Sequence, residues 1–190
     1  MELKGSKTEA NLLKAFAGES QARNRYTYFA EKAREEGYEQ IADIFEQTAN
    51  HEKEHAKRLF RFMEGREVEI TAAYPAGKVG TTVENLQEGF EGENYEVTTM
   101  YPNFADEADK EGFKDIARLF RNIAKAEMHH RQRYTNLKKN LEEGKVFSRE
   151  GSCIWMCINC GYLHEGKEAP SICPTCRYPK AYFQLKPENY

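Results

Sequence analysis

The 190-residue sequence has no apolar run approaching the ~20 residues that a membrane-spanning helix needs. Residues 1–19 contain no apolar core of signal-peptide length. There is also no block of like charge, since 28 basic and 31 acidic residues give a net charge of -3, and no basic stripe is interleaved with aromatic residues. We therefore expect neither a membrane nor a nucleic-acid partner, and we predict a cytoplasmic location.

Cysteine is missing until late in the chain, where all five cysteines lie between Cys153 and Cys176. Four of them form two Cys-x-x-Cys pairs, at Cys157, Cys160, Cys173 and Cys176. This spacing is typical of a metal site and not of a disulfide framework, and it agrees with a reducing compartment. By number alone, four thiolates suit tetrahedral Zn²⁺ and a single Fe equally well. Cys153 lies outside the pairs, and we interpret it as a bystander thiol.

A helical core stripe between residues 41 and 62 carries polar side chains at two positions that should be apolar. Read at steps of three and four, the stripe is Ile41, Phe45, Thr48, Glu52, His55, Leu59 and Phe62. Burying an unpaired carboxylate is costly, so Glu52 and His55 in this face imply a compensating partner, most simply a metal ion. Taken alone, such a pair is more often two surface neighbours spaced i,i+3.

The same pattern recurs 75 residues later in the chain. The second stripe is Ile116, Phe120, Ile123, Glu127, His130, Tyr134, Leu137 and Leu141. Because both repeats break the apolar stripe at equivalent positions, we predict a buried metal site that includes Glu127 and His130 as well as the first pair. His129 falls off the stripe, and we expect it to be solvated.

Capping boxes and glycines divide most of the chain into four long helices. Ser6 to Glu9 and Thr81 to Glu84 have the form of helix-starting boxes, and glycine is a good residue at which to end a helix. We predict helices over residues 7–37, 38–65, 81–112 and 113–144. Residues 65–81 show no sustained period, and this connection is long enough to cross the length of a bundle.

Two helical hairpins joined by one long crossover predict a mainly α protein with a ferritin-like four-helix bundle. Dinuclear sites of such bundles take a Glu from each of two helices and a Glu-x-x-His from each of the other two. Glu19 interrupts the apolar stripe of the first helix, and Glu93 interrupts that of the third. These residues complete the set begun by the two Glu-x-x-His pairs.

The third helix has one residue more than the first between its Glu and the following Tyr, comparing Glu93 and Tyr101 with Glu19 and Tyr26. An added residue inside a helix is usually absorbed as a π-bulge, so we predict one between Glu93 and Tyr101. Glu96 has no counterpart on the first helix. It is either part of an acidic surface run or a further ligand carboxylate, and we favour the ligand.

Tyr26 and Tyr101 allow two interpretations. Two turns beyond Glu19 and Glu93, they could hydrogen-bond across to ligand carboxylates and orient them. They could equally be core aromatic residues whose hydroxyl groups are satisfied elsewhere.

After Gly144 the composition changes, through a polar linker that we expect to end near Ser152. The remaining segment is too small to hold a core unaided, and below ~40 residues a metal generally supplies the folding energy. We therefore predict two domains, a helical bundle over residues 1–146 and a small metal-binding domain over residues 147–190.

These motifs together resemble the rubrerythrin family over the whole chain. They are AGESQARNRY at residues 17–26, EKEHA at 52–56, Glu127 with His130, and then CxxCGY and CPxC. The resemblance implies a ferritin-like di-iron bundle followed by a rubredoxin-like domain with one iron on four thiolates. It also implies non-haem peroxidase activity that reduces hydrogen peroxide to water.

By the same resemblance, a set of residues matches the di-iron ligands of the family, and none departs from its pattern. The set is Glu19, Glu52, Glu93, Glu96, Glu127 and His130. His55 matches the residue that exchanges with the carboxylate at Glu96 when the irons change oxidation state. The implied cofactors are two non-haem irons and one thiolate-bound iron, with zinc as a potential substitute.

The resemblance also implies partners. Reducing equivalents would come from NAD(P)H through separate redox proteins, a rubredoxin or an NAD(P)H-linked reductase. The chain would form a head-to-tail homodimer, and a higher oligomer or swapped helices stay open. Two other classes stay open on the sequence: an iron-oxidising or iron-storing bundle, and a redox-silent zinc-ribbon module attached to a structural bundle.

Overall fold

The computed structural model describes residues 2–75 and 77–188. The five α-helices come first along the chain, and the three β-strands follow them. The helices are α1 (Lys7–Glu35), α2 (Glu39–Phe60), α3 (Thr82–Tyr95), α4 (Tyr101–Lys110) and α5 (Lys114–Glu142). The strands are β1 (Ser148–Cys157), β2 (Leu163–Glu168) and β3 (Phe183–Leu185). The predicted mainly α fold, with a ferritin-like bundle and a small metal-binding module, is confirmed.

The helix starts follow the capping signals in the sequence. The Ser6 side chain accepts a hydrogen bond from the Glu9 backbone N–H at 3.0 Å, but the Glu9 carboxylate returns to Gly5 and not to the cap residue itself. At Thr81 the box is complete, because the Glu84 side chain also accepts from the Thr81 backbone N–H. Each box satisfies backbone donors that a helix start leaves free.

The two hairpin turns have the same backbone geometry. Gly37 and Gly112 adopt φ values of 82° and 84°, which a residue with a Cβ rarely adopts. In each turn the next residue donates back into the preceding helix, from Tyr38 to Ala33 and from Phe113 to Ala108, both at 2.8 Å. These bonds form the Schellman pattern and reverse the chain within two residues. The helices on either side are therefore antiparallel neighbours.

The third predicted helix is continuous but changes its winding. A π-helical segment, Glu96–Met100, separates α3 from α4, and Pro102 lies in the first turn of α4, where a missing backbone N–H is tolerated. The predicted π-bulge between Glu93 and Tyr101 is confirmed. The second helix is shorter than expected, since α2 ends at Phe60 and a 3-10 turn, Arg61–Met63, follows it.

Two apolar clusters fill the bundle, one toward each end. The first contains Tyr26, Phe29, Phe45, Leu86 and Tyr134. The second contains Leu12, Leu59, Tyr101, Phe120 and Ile123. Along every long helix, the stretch between the two clusters carries the buried polar residues of the predicted site. The bundle core is therefore a polar layer between two apolar layers.

The C-terminal block is a three-stranded antiparallel sheet in the order β2-β1-β3, packed around Trp155 and Phe183. It begins earlier than expected: β1 already starts at Ser148, so the stretch before Ser152 is strand and not a polar linker. The prediction placed it in a linker because its side chains are polar, whereas its pairing with β2 is made by the backbone. Tyr38 and Phe147 stack with ring centroids 6.1 Å apart and join this block to the Gly37 end of the bundle.

Within the described residues, no helix combines the length and the apolar character needed to cross a membrane.

Candidate metal centres

The four long helices bring their interrupting carboxylates to one place in the middle of the bundle. The side chains concerned are almost fully buried, at 2% exposure or less: Glu19, Glu52, Glu93, Glu127 and His130. His55 is more accessible but reaches the same layer, with Nδ1 at 2.9 Å from Glu127 Oε1. All four helices thus contribute to the cluster, as predicted, and His129 is exposed outside it.

The ligand atoms fall into two overlapping groups, each with atoms within 4.8 Å of one another. One group is Glu19, Glu52, His55 and Glu127, and the other is Glu52, Glu93, Glu127 and His130. Glu52 and Glu127 belong to both groups. A carboxylate has two oxygens, so these two side chains are placed to bridge a pair of neighbouring cations. The arrangement matches a dinuclear carboxylate site in a helical bundle.

The chemistry of the cluster fits a pair of cations. Buried polar atoms normally have hydrogen-bond partners, yet six atoms of this layer make no hydrogen bond of acceptable geometry, although histidine nitrogens lie as close as 2.6 Å to the Glu127 oxygens. They are Glu19 Oε2, Glu52 Oε1, Glu93 Oε2, both carboxylate oxygens of Glu127, and His130 Nδ1. All of them face the same small volume, and unpaired buried carboxylates are costly. Hard cations with nitrogen and oxygen ligands would satisfy these atoms together.

The pKa values of the clustered side chains also reflect the cost of burying them together. Burial, with the neighbouring Glu52, raises the pKa of Glu19 to about 7, and burial raises the pKa of Glu93 well above its ordinary value. Burial lowers the pKa of His130, but its contacts with Glu127, Glu52 and Glu93 outweigh this and raise it to about 12. Glu19 and Glu93 therefore favour their protonated forms when no cation is bound, and cations would replace those protons.

Glu96 lies at the start of the π-helical segment and is partly buried. It belongs to neither group of close ligand atoms. Burial and the nearby carboxylates of Glu19 and Glu93 raise its pKa well above the ordinary value. Glu96 therefore lies near the cluster but outside its two groups of close ligand atoms.

Of the two interpretations of Tyr26 and Tyr101, the structure shows the hydrogen bonds across to ligand carboxylates. The Tyr26 hydroxyl on α1 donates to Glu93 Oε1 at 2.6 Å, and the Tyr101 hydroxyl on α4 donates to Glu19. Burial raises the pKa of both phenols well above the ordinary value, so they remain protonated donors. Each bond joins the two hairpins, because each tyrosine donates to a carboxylate of the other hairpin.

His51 is a site contact that sequence reasoning missed. Its Nδ1 lies 3.0 Å from His130 Nε2, and the two rings stack with centroids 5.2 Å apart at 14°. The search relied on residues repeated in both hairpins, and the equivalent of His51 in the second hairpin is Ala126. Its position immediately before Glu52, one turn before His55, was the available signal.

The four paired cysteines form a second, separate cluster. Sγ of Cys157 lies 3.7 Å from that of Cys176, and Sγ of Cys160 lies 3.7 Å from that of Cys173. Four sulfurs at a metal–sulfur distance of about 2.3 Å from a tetrahedral centre are about 3.8 Å apart. The cluster therefore has the dimensions of an M–S₄ site, and Cys153 stands outside it.

Two similar loops present these thiols. Gly161 N–H donates to the Cys157 carbonyl, and Arg177 N–H donates to the Cys173 carbonyl. Gly161 and Arg177 both have positive φ values, of 76° and 65°. The Asn159 side chain and the Tyr178 backbone N–H lower the pKa of Cys176 to about 6, which favours the thiolate that a metal requires. Burial raises the pKa of Cys157, so without a metal that residue favours the thiol.

Comparison with known proteins matches both parts of the chain. The family described as Rubrerythrin matches residues 10–138, and the family described as Rubrerythrin, rubredoxin-like domain matches residues 155–184. These ranges contain the carboxylate cluster and the cysteine cluster respectively. The first match therefore covers the helical bundle, and the second covers the rubredoxin-like domain.

Relatives match over nearly the full length. The chain is 56% identical to a rubrerythrin of Porphyromonas gingivalis over 99% of this chain and 94% of that protein. It is 54% identical to a rubrerythrin of Nitratidesulfovibrio vulgaris over 99% of this chain and 98% of that protein. A structure of nigerythrin in a mixed-valence state has a TM-score of 0.64 at 35% identity, covering 96% of this chain and 87% of that one. The chain, with its di-iron site and its rubredoxin-like domain, belongs to the rubrerythrin family.

Proposed function

We propose that this protein is a non-haem di-iron peroxidase that reduces hydrogen peroxide to water and receives its electrons through the four-cysteine iron site. The observation that carries the proposal is the presence of two unlike metal clusters in one chain. One consists of buried carboxylates and histidines, and the other of four thiols. A bundle that only stored iron would have no use for the second cluster.

The residues proposed to hold the two irons are the ones predicted from the sequence: Glu19, Glu52, His55, Glu93, Glu96, Glu127 and His130. Five carboxylates roughly balance the four positive charges of two Fe(II), so the filled site is near neutral. Two bound ferrous ions would supply the two electrons that cleave the O–O bond of hydrogen peroxide. Cys157, Cys160, Cys173 and Cys176 would hold the third iron, and zinc can take the same four-thiolate geometry.

The other side chains of the layer position these ligands. Tyr26 and Tyr101 fix the orientation of Glu93 and Glu19 by the hydrogen bonds described above. Glu96 and His55 lie at the edge of the layer and are its more accessible candidate ligands. We propose that they trade places on the metals as the oxidation state changes, since the other ligand candidates are locked in the core.

The remaining expectations are also part of the proposal. The electron donor is a rubredoxin or an NAD(P)H-linked reductase, the protein works in the cytoplasm, and it assembles as a homodimer. The bundle and the rubredoxin-like domain divide near residues 146 and 147.

The test compares hydrogen peroxide with oxygen as the oxidant of the chemically reduced protein. Stopped-flow absorbance should show much faster oxidation of the bundle by hydrogen peroxide. A Cys160→Ser variant should still react with peroxide for a single turnover but should lose steady-state turnover from the external donor. Faster reaction with oxygen, accompanied by a ferric mineral, would instead assign the bundle to iron oxidation.

A further inference from the structure

The carboxylate layer of the bundle is closed to solvent over most of its boundary. Its four core carboxylates and His130 are 2% exposed or less, and an apolar cluster lies on either side of the layer along the bundle. A small molecule that reacts at bound metals must therefore enter from the side, between helices. Two edges of the layer are candidates: His55, with 18% of its side chain exposed, and the partly buried Glu96.

A pocket of about 280 Å³ lies beside Glu96, between α1, α3, the π-helical segment and the crossover connection. This volume is several times the ~30 Å³ that one water molecule occupies in the liquid. Tyr74 of the crossover and Tyr95 at the end of α3 line the pocket and are 50% and 56% exposed, so solvent reaches it. Gly18 and Gly92 also line it, and each immediately precedes a carboxylate of the layer.

The two glycines make the wall between the pocket and the layer thin. A Cβ on Gly18 would meet no atom within 4 Å, so the backbone of α1 borders open space there. A Cβ on Gly92 would lie 3.9 Å from the Tyr26 hydroxyl, which itself donates to Glu93 in the layer. The pocket lining at Gly92 is therefore within contact distance of a group that binds a layer carboxylate. Glycine is otherwise unfavourable inside a helix, so two at equivalent places call for such a reason.

The lining of the pocket carries both signs of charge. Two cationic side chains, Lys14 and Arg25, lie on α1 with the amide of Gln21, and apolar side chains come from the crossover and α4. Three carboxylates complete the lining: Glu88, Glu91 and Glu96. An ion of either sign would meet like charges there, whereas a neutral molecule would find donors and acceptors and only a small electrostatic barrier. The pocket therefore suits small, neutral, polar molecules.

The outer wall of the pocket is fastened at both ends of the crossover. At one end, Arg66 forms an ion pair with Glu9 of α1. At the other, the Gly80 N–H donates to Asn85 Oδ1 at 2.9 Å, and Asn85 Nδ2 donates to the Gly80 carbonyl at 3.1 Å. Asn85 is fully buried, so these bonds are shielded from water. The pocket is therefore a fixed part of the fold.

We propose that this pocket is the entrance through which small neutral molecules reach the metal layer, passing beside Glu96 and between the helices that carry Gly18 and Gly92. Only the identity of the natural molecule rests on the proposed function: for a peroxidase it is hydrogen peroxide. The entrance itself follows from the cavity and its position next to the layer.

The test measures how fast nitric oxide, a small neutral probe, binds the ferrous bundle site of the full-length, chemically reduced protein in stopped-flow absorbance. Gly18→Phe places a ring in the open space of the pocket and should slow association at least about tenfold. The equilibrium dissociation constant should stay unchanged, because a plug slows entry and exit alike. Gly18→Ala makes the same change of helix propensity without filling the pocket and should bind at the wild-type rate.

A second plug comes from the opposite wall. Ala72→Trp lies on the crossover, away from the ligand helices, and should also slow nitric oxide binding. Val79→Trp adds the same ring at an exposed crossover position outside the pocket lining and is its control. Iron counting identifies the variants that keep the bundle metals. A wild-type rate in either plug variant that keeps its iron would overturn the proposal and assign entry to the edge at His55.

The same proteins mixed with hydrogen peroxide separate the entrance from the peroxidase activity. If both proposals hold, the plugs slow oxidation by peroxide by the same factor as nitric oxide binding. If the wild type does not react with peroxide while the plugs still slow nitric oxide, the entrance stands and the peroxidase fails. If peroxide and nitric oxide react equally fast in all variants, the peroxidase stands and the entrance fails.

Discussion

Among single side chains, His51 shows how a residue outside a metal site can fix the geometry inside it. His130 turns Nδ1 toward the carboxylates, at 2.6 Å from Glu127, and turns Nε2 toward His51. When Nδ1 binds a cation it carries no proton, so Nε2 carries the proton and donates it to Nδ1 of His51. The second histidine therefore fixes the tautomer and the ring plane of the first.

Replacing His51 should weaken the bundle site without unfolding the bundle. We expect His51→Leu to reduce the affinity for Fe(II) or Co(II) by about 10- to 100-fold, the usual effect of losing a residue that orients a ligand. His51→Gln keeps a hydrogen-bond acceptor and should recover part of the loss. Competition with a coloured chelator measures the affinities. His129→Leu is the matched control, and an equal loss in that variant would argue against the orienting role.

Tyr26 acts on the other hairpin through Glu93. Tyr26→Phe removes a 2.6 Å hydrogen bond to a buried carboxylate, a bond to a charged group that is worth about 1.5–3 kcal/mol. We expect about tenfold weaker metal binding by the bundle, read from the same chelator competition, while the four-cysteine site keeps its iron. Tyr28→Phe alters an exposed tyrosine on the same helix and should change neither site. Wild-type affinity in Tyr26→Phe would assign the tyrosine to packing alone.

The residues that could be predicted from the sequence are those whose chemistry conflicts with their position. A Glu or His in an apolar stripe is visible without a structure, and its repetition 75 residues later made Glu52, His55, Glu127 and His130 identifiable. His51 lies at a position where a polar side chain attracts no notice, because a helix surface normally carries such residues. Its importance comes from its contact with His130 on another helix, which a one-dimensional pattern does not contain.

At the level of helices, the two hairpins cap each other. The Glu36 carboxylate, at the end of the first hairpin's leading helix, accepts the Thr82 backbone N–H at the start of α3. The equivalent residue of the second hairpin, Glu111, accepts the backbone N–H groups of Lys7 and Thr8 at the start of α1. A carboxylate at a helix start satisfies free donors and interacts favourably with the helix dipole.

Loss of one such cap should lower the stability of the bundle. We expect Glu36→Ala to reduce the free energy of unfolding by about 1 kcal/mol, as is usual for a lost helix cap. Urea denaturation followed by circular dichroism measures the difference. Glu35→Ala removes a neighbouring acidic side chain that faces solvent and should have a smaller effect. A smaller loss in Glu36→Ala than in this control would count against the cap.

The effect of Glu36 should also depend on pH. Partial burial raises the pKa of Glu36, but hydrogen bonds from Thr82 and the charge of Lys32 outweigh it, so the pKa lies below its ordinary value of 4.5. A depressed pKa stabilises the folded state above the unfolded pKa, and this stabilisation is lost as the pH falls through the folded pKa. The difference between wild type and Glu36→Ala should therefore be full near pH 7 and shrink below pH 4.5.

The π-helical segment could be located from a residue count, but its effect on Glu96 could not. Comparing the two hairpins showed one extra residue between Glu93 and Tyr101, and the structure absorbs it over Glu96–Met100. How far the changed winding turns a side chain depends on the packing of four helices. The early start of β1 was missed for a related reason, because backbone pairing leaves no mark on a polar sequence.

For the whole molecule, the distance between the two clusters decides how electrons reach the bundle. The rubredoxin-like domain packs against the Gly37 end of its own bundle through Phe147 and Tyr38. From Glu39 to Glu52, α2 rises for 13 residues, about 20 Å at 1.5 Å per residue. The bundle site therefore lies about 20 Å along α2 from the end against which the rubredoxin-like domain packs, and we propose that electrons come instead from the cysteine site of a second chain in a head-to-tail homodimer.

Mixed dimers separate the two routes. A Glu127→Ala chain lacks the bundle site, and a Cys160→Ser chain lacks the electron-delivery site. After subunit exchange, delivery between chains predicts that donor-driven peroxidase activity reappears, because the mixed dimer joins one intact site of each kind. Delivery within a chain predicts no activity, and no recovery in demonstrated mixed dimers without swapped helices would retire the route between chains. Each variant alone serves as the inactive control.

The polar layer between the two apolar clusters also bears on how long the protein survives in a cell. Cations that bind the folded bundle and not the unfolded chain stabilise it by mass action, by about 2.7 kcal/mol at a free concentration one hundred times the dissociation constant. Without them, buried polar atoms stay unpaired midway along the four long helices, where local opening would expose the chain to proteases. We therefore expect iron starvation to shorten the proteolytic half-life of the bundle several-fold, measured by protease digestion with and without an Fe(II) chelator. The protein would then be degraded by proteases when its bundle site is empty, and it would accumulate when iron is plentiful.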